Sequence, residues 1–300
     1  MKGISILSCL FIHKIPLVTS FQVPLFSTAL FQSQSVQQSR MASFNAQEPE
    51  MQQEEASSIK QIMVAFAMEA EAQPLIDYLG LSEQSGIFSG PLPAKCYSGE
   101  YKECNIHVVV NGKDPVHGVD NVGTVSAALT TYLGLQALSP DLLINAGTCG
   151  GFKRKGAEVG DVFLSTAFKN HDRRIAIPGF TEWGIGNYNA IPTTHMQREL
   201  GFKSGIVSSG NSLDCEPKDD EIISMNDASV KEMEAAAIAS TAHLFQTPFF
   251  AIKVVTDIVD GDQPTHEEFL QNLGTAARSL QEAVPKVIDF VLTKKNISEL

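Results

Sequence analysis

A chain of 300 residues with 43% apolar content holds enough hydrophobic material for one large α/β domain or two small ones, which excludes disorder of the whole chain. A formal net charge of -12 repels phosphate backbones and anionic lipid, so nucleic acid and membrane surfaces are disfavoured and a small, weakly charged ligand suits the chain better. The 5 cysteines, Cys9, Cys96, Cys104, Cys149 and Cys215, form no C-x-x-C pair and read as reduced thiols without zinc or redox duty.

Residues 1–58 differ from the rest: apolar and serine-bearing to about Phe31, then glutamine-rich, with Glu48 the first acid. This is a leader outside the fold. It reads as a transit peptide, as a secretory signal, or as sequence upstream of a start at Met41. Scattered unpaired thiols favour the first and last over secretion, so the expected location is the cytoplasm, or a plastid or other organelle if residues 1–40 are a transit peptide.

From Ile59 onward, short β-branched runs alternate with helical periods, the pattern of a single α/β domain over residues 59–300. Gln61 to Ala67 predicts a buried strand and Glu69 to Leu79 a helix. A hairpin through Tyr97 to Tyr101 leads to a strand at Ile106 to Val110, and Val119 to Leu138 has helical spacing. Asp141 to Ala146 reads as a buried strand ending in a glycine-rich turn, Gly147-Thr148-Cys149-Gly150-Gly151, and Asp161 to Phe168 as a further strand. Asn170 to Phe202 shows little periodicity and reads as long loops over a site. Order returns at Gly205 to Ser209, in a helix at Met233 to Phe245, a strand at Phe249 to Thr256 and a C-terminal helix at His266 to Leu292, with Pro285 the place where it could bend.

Four segments carry candidate chemistry. In Ala67-Met68-Glu69-Ala70-Glu71, the two glutamates lie two apart on a helix, so at most one faces a site; the plain alternative is a pair of first-turn acids favouring the positive helix end. The glycines of 147–151 let a ligand approach the backbone, or merely form a tight corner. Their spacing is not that of a phosphate-binding or dinucleotide loop, and no metal-ligand spacing occurs, so neither cofactor nor metal is indicated. Lys231-Glu232-Met233-Glu234 places carboxylates ahead of an alanine-rich helix, either as dipole partners or as a grip on a vicinal diol. Thr256-Asp257 ends an apolar strand, where an aspartate is either a turn former or an acid with a raised pKa.

These segments in this order, together with Ser209-Gly210-Asn211-Ser212-Leu213-Asp214 and His171-Asp172-Arg173-Arg174, resemble the 5'-methylthioadenosine/S-adenosylhomocysteine nucleosidases, especially the plant branch. The resemblance implies a phosphorylase/hydrolase-like three-layer α/β fold, with a twisted mixed central sheet flanked by helices, assembled as a homodimer. It implies hydrolysis of 5'-methylthioadenosine, and of S-adenosylhomocysteine as a second substrate, to adenine and the thioribose, in methionine salvage and without a cofactor. By position, Glu71 matches the family's general base and Asp257 its proton donor to adenine N7. Glu234 matches the carboxylate that holds the ribose hydroxyls, and Met233 the side chain against the sugar. Thr148, Lys253, Glu232 and Thr256 fall around the reaction centre, Leu213 and Asp214 where the purine is bracketed, and Met68 at the 5' end. Loop residues near Phe180 and a residue near His266 are expected to complete that end. Lys253 stands where bacterial members commonly carry arginine.

Two rivals remain. A phosphorylase of the same fold needs cations for a phosphate dianion, and no Lys or Arg occurs between Lys60 and Lys95, although Arg173, Arg174 and Lys253 are available. A non-catalytic storage relative would share the fold, but Glu71, Glu234 and Asp257 are all present.

Overall fold

The computed structural model describes residues 59–294 and 296–300; the expected leader lies outside the described residues. In chain order the first half contains β1 (Gln61–Phe66), α1 (Glu69–Leu79), β2 (Ser82–Glu83), β3 (Lys95–Tyr101), β4 (Cys104–Val110), α2 (Thr124–Leu138) and β5 (Leu142–Gly151). There follow β6 (Val162–Asn170), α3 (Phe180–Ile185), β7 (Tyr188–Asn189), α4 (Thr194–Leu200) and β8 (Lys203–Ser209). The chain closes with α5 (Pro217–Met225), β9 (Ala228–Glu232), α6 (Ala235–Phe245), β10 (Phe249–Ile258) and α7 (Thr265–Leu292).

The period-two alternation of a strand explains why its apolar residues feed two cores. In β1, Ile62, Val64 and Phe66 enter one buried cluster, while Met63 and Ala65 enter another. In β10, Phe250, Ile252 and Val254 join the first and Phe249, Ala251 and Val255 the second. The first cluster takes in residues of α1 and α7, the second residues of α2 and α6, which is the expected helix–sheet–helix layering.

One mixed sheet carries everything. On one edge β5 pairs in parallel with β10 along its length. On its other edge it pairs first with β1, over Leu142 to Asn145, and then with β9, antiparallel, at Gly150 and Gly151. Strands β10, β6, β8 and β9 continue the ladder back to β5, so these strands close into a ring, while β1, β4, β3 and β2 extend from it as an open wing. The sheet therefore splits along β5, between the end of β1 and the entry of β9, and such divergence is where an α/β sheet admits a ligand.

Three expectations change. The glycine-rich segment 147–151 is not a turn: it is the second half of β5, because its backbone is fully engaged with β10. None of Gly147, Gly150 and Gly151 has a positive φ. Their use is lack of bulk, since a Cβ at Gly150 would lie 2.7 Å from Asp257 Oδ2 and one at Gly151 2.6 Å from Ala157. The segment 170–202 is more ordered than its composition suggests, holding α3, β7 and α4; it is absent from the wall of the cavity that Glu71 and Asp257 share, while Asn187 to Asn189 and Ile191 line a second cavity against α6. Finally, α2 starts at Thr124 rather than Val119, because Gly123 has φ 97° and breaks the helical path. Helix α7 continues through Pro285.

Candidate functional site

The split along β5 opens into a cavity of about 310 Å³. Its wall takes Met68 and Glu71 from the start of α1, Asn145 to Gly150 from β5, Leu213 from the loop after β8, Lys231 to Glu234 around the end of β9, Lys253, Thr256 and Asp257 from β10, and Phe269 from α7.

Glu71 is placed by strand geometry. Where β1 ends, Thr148 loses a strand neighbour on that edge, and its backbone N–H donates instead to Glu71 Oε1 at 2.8 Å. The Thr148 hydroxyl donates to the same oxygen, also at 2.8 Å. Burial pushes the Glu71 carboxyl above its ordinary value, while both Thr148 bonds and the Lys253 charge pull it down. The two glutamates of α1 part company as helical spacing requires: Glu69 faces outward to Lys95 and Lys113.

Asp257 lies beside Gly150 in the β5–β10 ladder. Its Oδ1 accepts from the Thr256 hydroxyl at 2.7 Å. Its Oδ2 is buried with no hydrogen-bond partner. A bare carboxylate oxygen in that position is costly, whereas a protonated one can donate to a ligand. Burial is the largest influence and raises its pKa, with Glu268 adding to the rise and Thr256 and Lys231 opposing it. A Cβ built on Gly147 would lie 3.4 Å from Glu71 Oε1, so Glu71 sits over Gly147 as Asp257 sits over Gly150. Both carboxyl groups line the one cavity, Glu71 from the head of α1 and Asp257 from the end of β10.

Glu234 occupies the N-cap of α6 and accepts the Gly123 N–H at the head of α2 at 2.7 Å. Its pKa is pushed up to about 7, first by burial and then by the charge of Glu232. Glu232 itself is committed to the protein. Its oxygens accept from the backbone of Glu234 and Ala235, from the Ser209 hydroxyl, and from Lys253 Nζ at 2.9 Å. The Lys253–Glu232 pair is 2% exposed on each side, so both charges survive only through each other and the α6 N-terminus. Glu232 thus holds the neighbouring elements, leaving Glu234 as the diol-facing candidate.

Met68, Thr148, Leu213, Met233 and Thr256 all line the cavity as the sequence suggested. Asp214 does not. It is exposed and off the wall, because Lys231 Nζ grips the carbonyls of Ser212 at 2.6 Å and Leu213 at 3.0 Å, which fixes Leu213 on the wall while the next side chain keeps its hydration. Phe180 is 53% exposed and also off the wall; Phe269, three residues beyond His266, is on it. Val122, Val259 and Phe269 are wall residues that sequence reasoning missed, and Lys231, named only as the residue ahead of Glu232, is a fourth wall residue to which it gave no role. The cations proposed for phosphate are engaged elsewhere: Arg174 pairs with Asp219, Arg173 lies 4.3 Å from the Trp183 ring centre, and Lys253 is held by Glu232.

A pocket that offers three carboxyl groups and whose described lysines are already bound to protein is suited to breaking a glycosidic bond with water, not to holding an anion. The chain's relatives place it among the enzymes that cleave N-glycosidic bonds. It belongs to the phosphorylase superfamily, whose model matches residues 61–289, and within it to the 5'-methylthioadenosine/S-adenosylhomocysteine nucleosidases. It is 47% identical over 257 residues to the 5'-methylthioadenosine nucleosidase of Arabidopsis thaliana, covering 85% of this chain and 96% of that one. A second Arabidopsis thaliana relative, a 5'-methylthioadenosine/S-adenosylhomocysteine nucleosidase, is 47% identical over 248 residues, or 81% of this chain and 96% of the relative. The structure of the Arabidopsis thaliana 5'-methylthioadenosine nucleosidase in its apo form superposes with a TM-score of 0.79 at 47% identity, over 81% of this chain and 100% of that chain.

Proposed function

We propose that this chain hydrolyses the N-glycosidic bond of 5'-methylthioadenosine, with S-adenosylhomocysteine as a further substrate, releasing adenine and the thioribose for methionine salvage. The observation that carries this reading is the pair Glu71 and Asp257 on one cavity, above Gly147 and Gly150 of the same strand. Glu71, ionised and anchored by Thr148, takes a proton from the attacking water. Asp257, protonated, donates from Oδ2 to purine N7, so the base departs neutral while positive charge grows on the ribose. Each contributes roughly 10²- to 10⁴-fold. Glu234 accepts hydrogen bonds from the ribose hydroxyls, with Met233 against the sugar, Leu213 against the purine and Met68 and Phe269 toward the 5' substituent.

The test is adenine release from each thioether with and without inorganic phosphate. Equal rates in both conditions support hydrolysis; a strict need for phosphate makes the chain a phosphorylase; no adenine at all returns the storage reading. The chain works as a homodimer in this proposal, supported by the exposed apolar residues Val122, Val125, Leu129, Tyr132 and Leu244 around α2 and α6, and sedimentation of the purified protein measures it. The proposed location is the cytoplasm, or an organelle if residues 1–40 are a transit peptide. The free thiols Cys96, Cys104, Cys149 and Cys215 support a reducing compartment, and imaging a full-length fusion decides it.

A further inference from the structure

Lys231, Gly150 and Asp257 stand side by side on three adjacent strands. Gly150 pairs with Lys231 across the β5–β9 ladder and with Asp257 across the β5–β10 ladder. Directly paired residues project to the same face of a sheet, so Lys231 and Asp257 flank a residue that has no side chain to separate them. Two interstrand steps place their Cα atoms about 10 Å apart, a gap that a long lysine stem leaning inward shortens. Lys231 is 4% exposed and lines the same cavity as Asp257. Its Nζ is fixed by two carbonyl oxygens, those of Ser212 and Leu213, so the cation is held in place yet not cancelled by a direct carboxylate partner.

We propose that Lys231 is a positioning residue with two linked tasks: it fastens the Ser212–Leu213 segment over the purine end of the cavity, and it steadies the carboxylate that Asp257 becomes on giving up its proton. The proposal rests on the reading of Asp257 as the proton donor. When the bond between ribose and purine breaks, its electron pair passes to the purine, the Asp257 proton moves to purine N7, and a negative charge is left on Asp257. A buried carboxylate facing only Thr256 and Glu268 would resist that change, because burial and Glu268 both favour the neutral acid. Lys231 opposes them from β9, as Thr256 does from β10. The groups that face Lys231 are Cys215, Asp257, Asp214 and Asp219, with His171 beyond Ser208; burial lowers the Lys231 pKa, and Cys215 and the three carboxylates oppose that fall.

The experiment compares the wild-type chain with Lys231→Met and Lys231→Arg, after thermal unfolding confirms that each is folded. The Asp257 carboxyl is titrated directly by carbon-13 NMR, its signal assigned by its loss in Asp257→Asn, and adenine binding is measured by calorimetry. In Lys231→Met the Asp257 titration moves upward by about one pH unit, adenine binds about tenfold more weakly, and the basic limb of kcat moves up with it. Lys231→Arg holds the titration near the wild-type position. An Asp257 titration in folded Lys231→Met that coincides with wild type overturns the proposal. A wild-type protein that released no adenine would instead remove the hydrolase reading, and the NMR titration would still decide the pairing of Lys231 with Asp257.

Discussion

Thr148 gives both its backbone N–H and its hydroxyl to a single oxygen of Glu71, each at 2.8 Å. The first bond exists because β1 stops short of Thr148, and the second because the Thr148 side chain turns to the same side. Together they oppose the burial that raises the pKa of this carboxyl group, so Thr148 favours its ionised form, the form the proposed general base requires.

Removal of the hydroxyl alone is therefore informative. In Thr148→Val the backbone bond remains and the Glu71 pKa climbs. A base must be unprotonated to act, so the acidic limb of kcat/KM should shift to higher pH, with about a tenfold loss at pH 6 and a smaller one at pH 8. A limb at its original position would detach Thr148 from the ionisation of Glu71. Glu71→Gln, which cannot accept a proton at all, should lose at least about 10³-fold at every pH.

Asp257 is separable from Glu71 by leaving group. Adenine needs a proton to leave as a neutral base, whereas a nitrophenolate leaves readily as an anion. Asp257→Asn should thus lose about 10³-fold or more on 5'-methylthioadenosine while keeping most of its rate on the matching nitrophenyl riboside. Equal losses on both substrates would show that Asp257 shapes the cavity and does not donate a proton.

Glu234 links catalysis to stability with opposite signs. Its carboxyl titrates near 4.5 when unfolded and at about 7 when folded, chiefly through burial. Between those values the unfolded chain binds fewer protons, so this group's contribution is complete below 4.5 and is lost as pH rises through about 7. Diol binding needs the ionised form, so substrate affinity rises over the same interval. In Glu234→Gln the Gly123 N–H keeps an acceptor and no proton is exchanged. The variant should lose roughly 5 °C less in Tm than wild type between pH 5 and pH 8, while its KM is raised about 10²-fold and no longer varies across pH 7.

Much of the fold was legible because β1 and β10 are nearly continuous apolar runs, as strands buried on both faces require. Local pattern alone left Glu69 and Glu71 equivalent and Asp257 open to a turn-forming role; it was the order of the motifs, through the family resemblance, that singled out Glu71 and Asp257. The pairing of β5 with β9 and of β6 with β8 was not legible, since long-range ladders leave no periodic trace in either partner. The same blindness turned the glycines of β5 into an expected turn: in sequence, a glycine that makes room for a neighbouring side chain looks like one that bends the chain. Asp214 was carried to the site by its position beside Leu213, and only the grip of Lys231 on the preceding carbonyls shows that neighbours on a loop part ways.

Gly150 offers the sharpest test of that lesson about β5. A Cβ there would lie 2.7 Å from Asp257 Oδ2 and 2.5 Å from Val259 Cγ2, both closer than real contacts allow. As a strand residue without a positive φ, Gly150 could accept alanine in its backbone, and a turn reading would predict little penalty. The packed strand predicts otherwise. Asp257 and Val259 must move, the proton donor leaves its line to the purine, and overpacking costs about 1–3 kcal/mol. Gly150→Ala should therefore lower Tm by several degrees and reduce adenine release by about 10²-fold, with the nitrophenyl riboside affected much less. Near-normal stability and activity would mean that the space between β9 and β10 is not filled by Asp257, and that the glycine has another purpose.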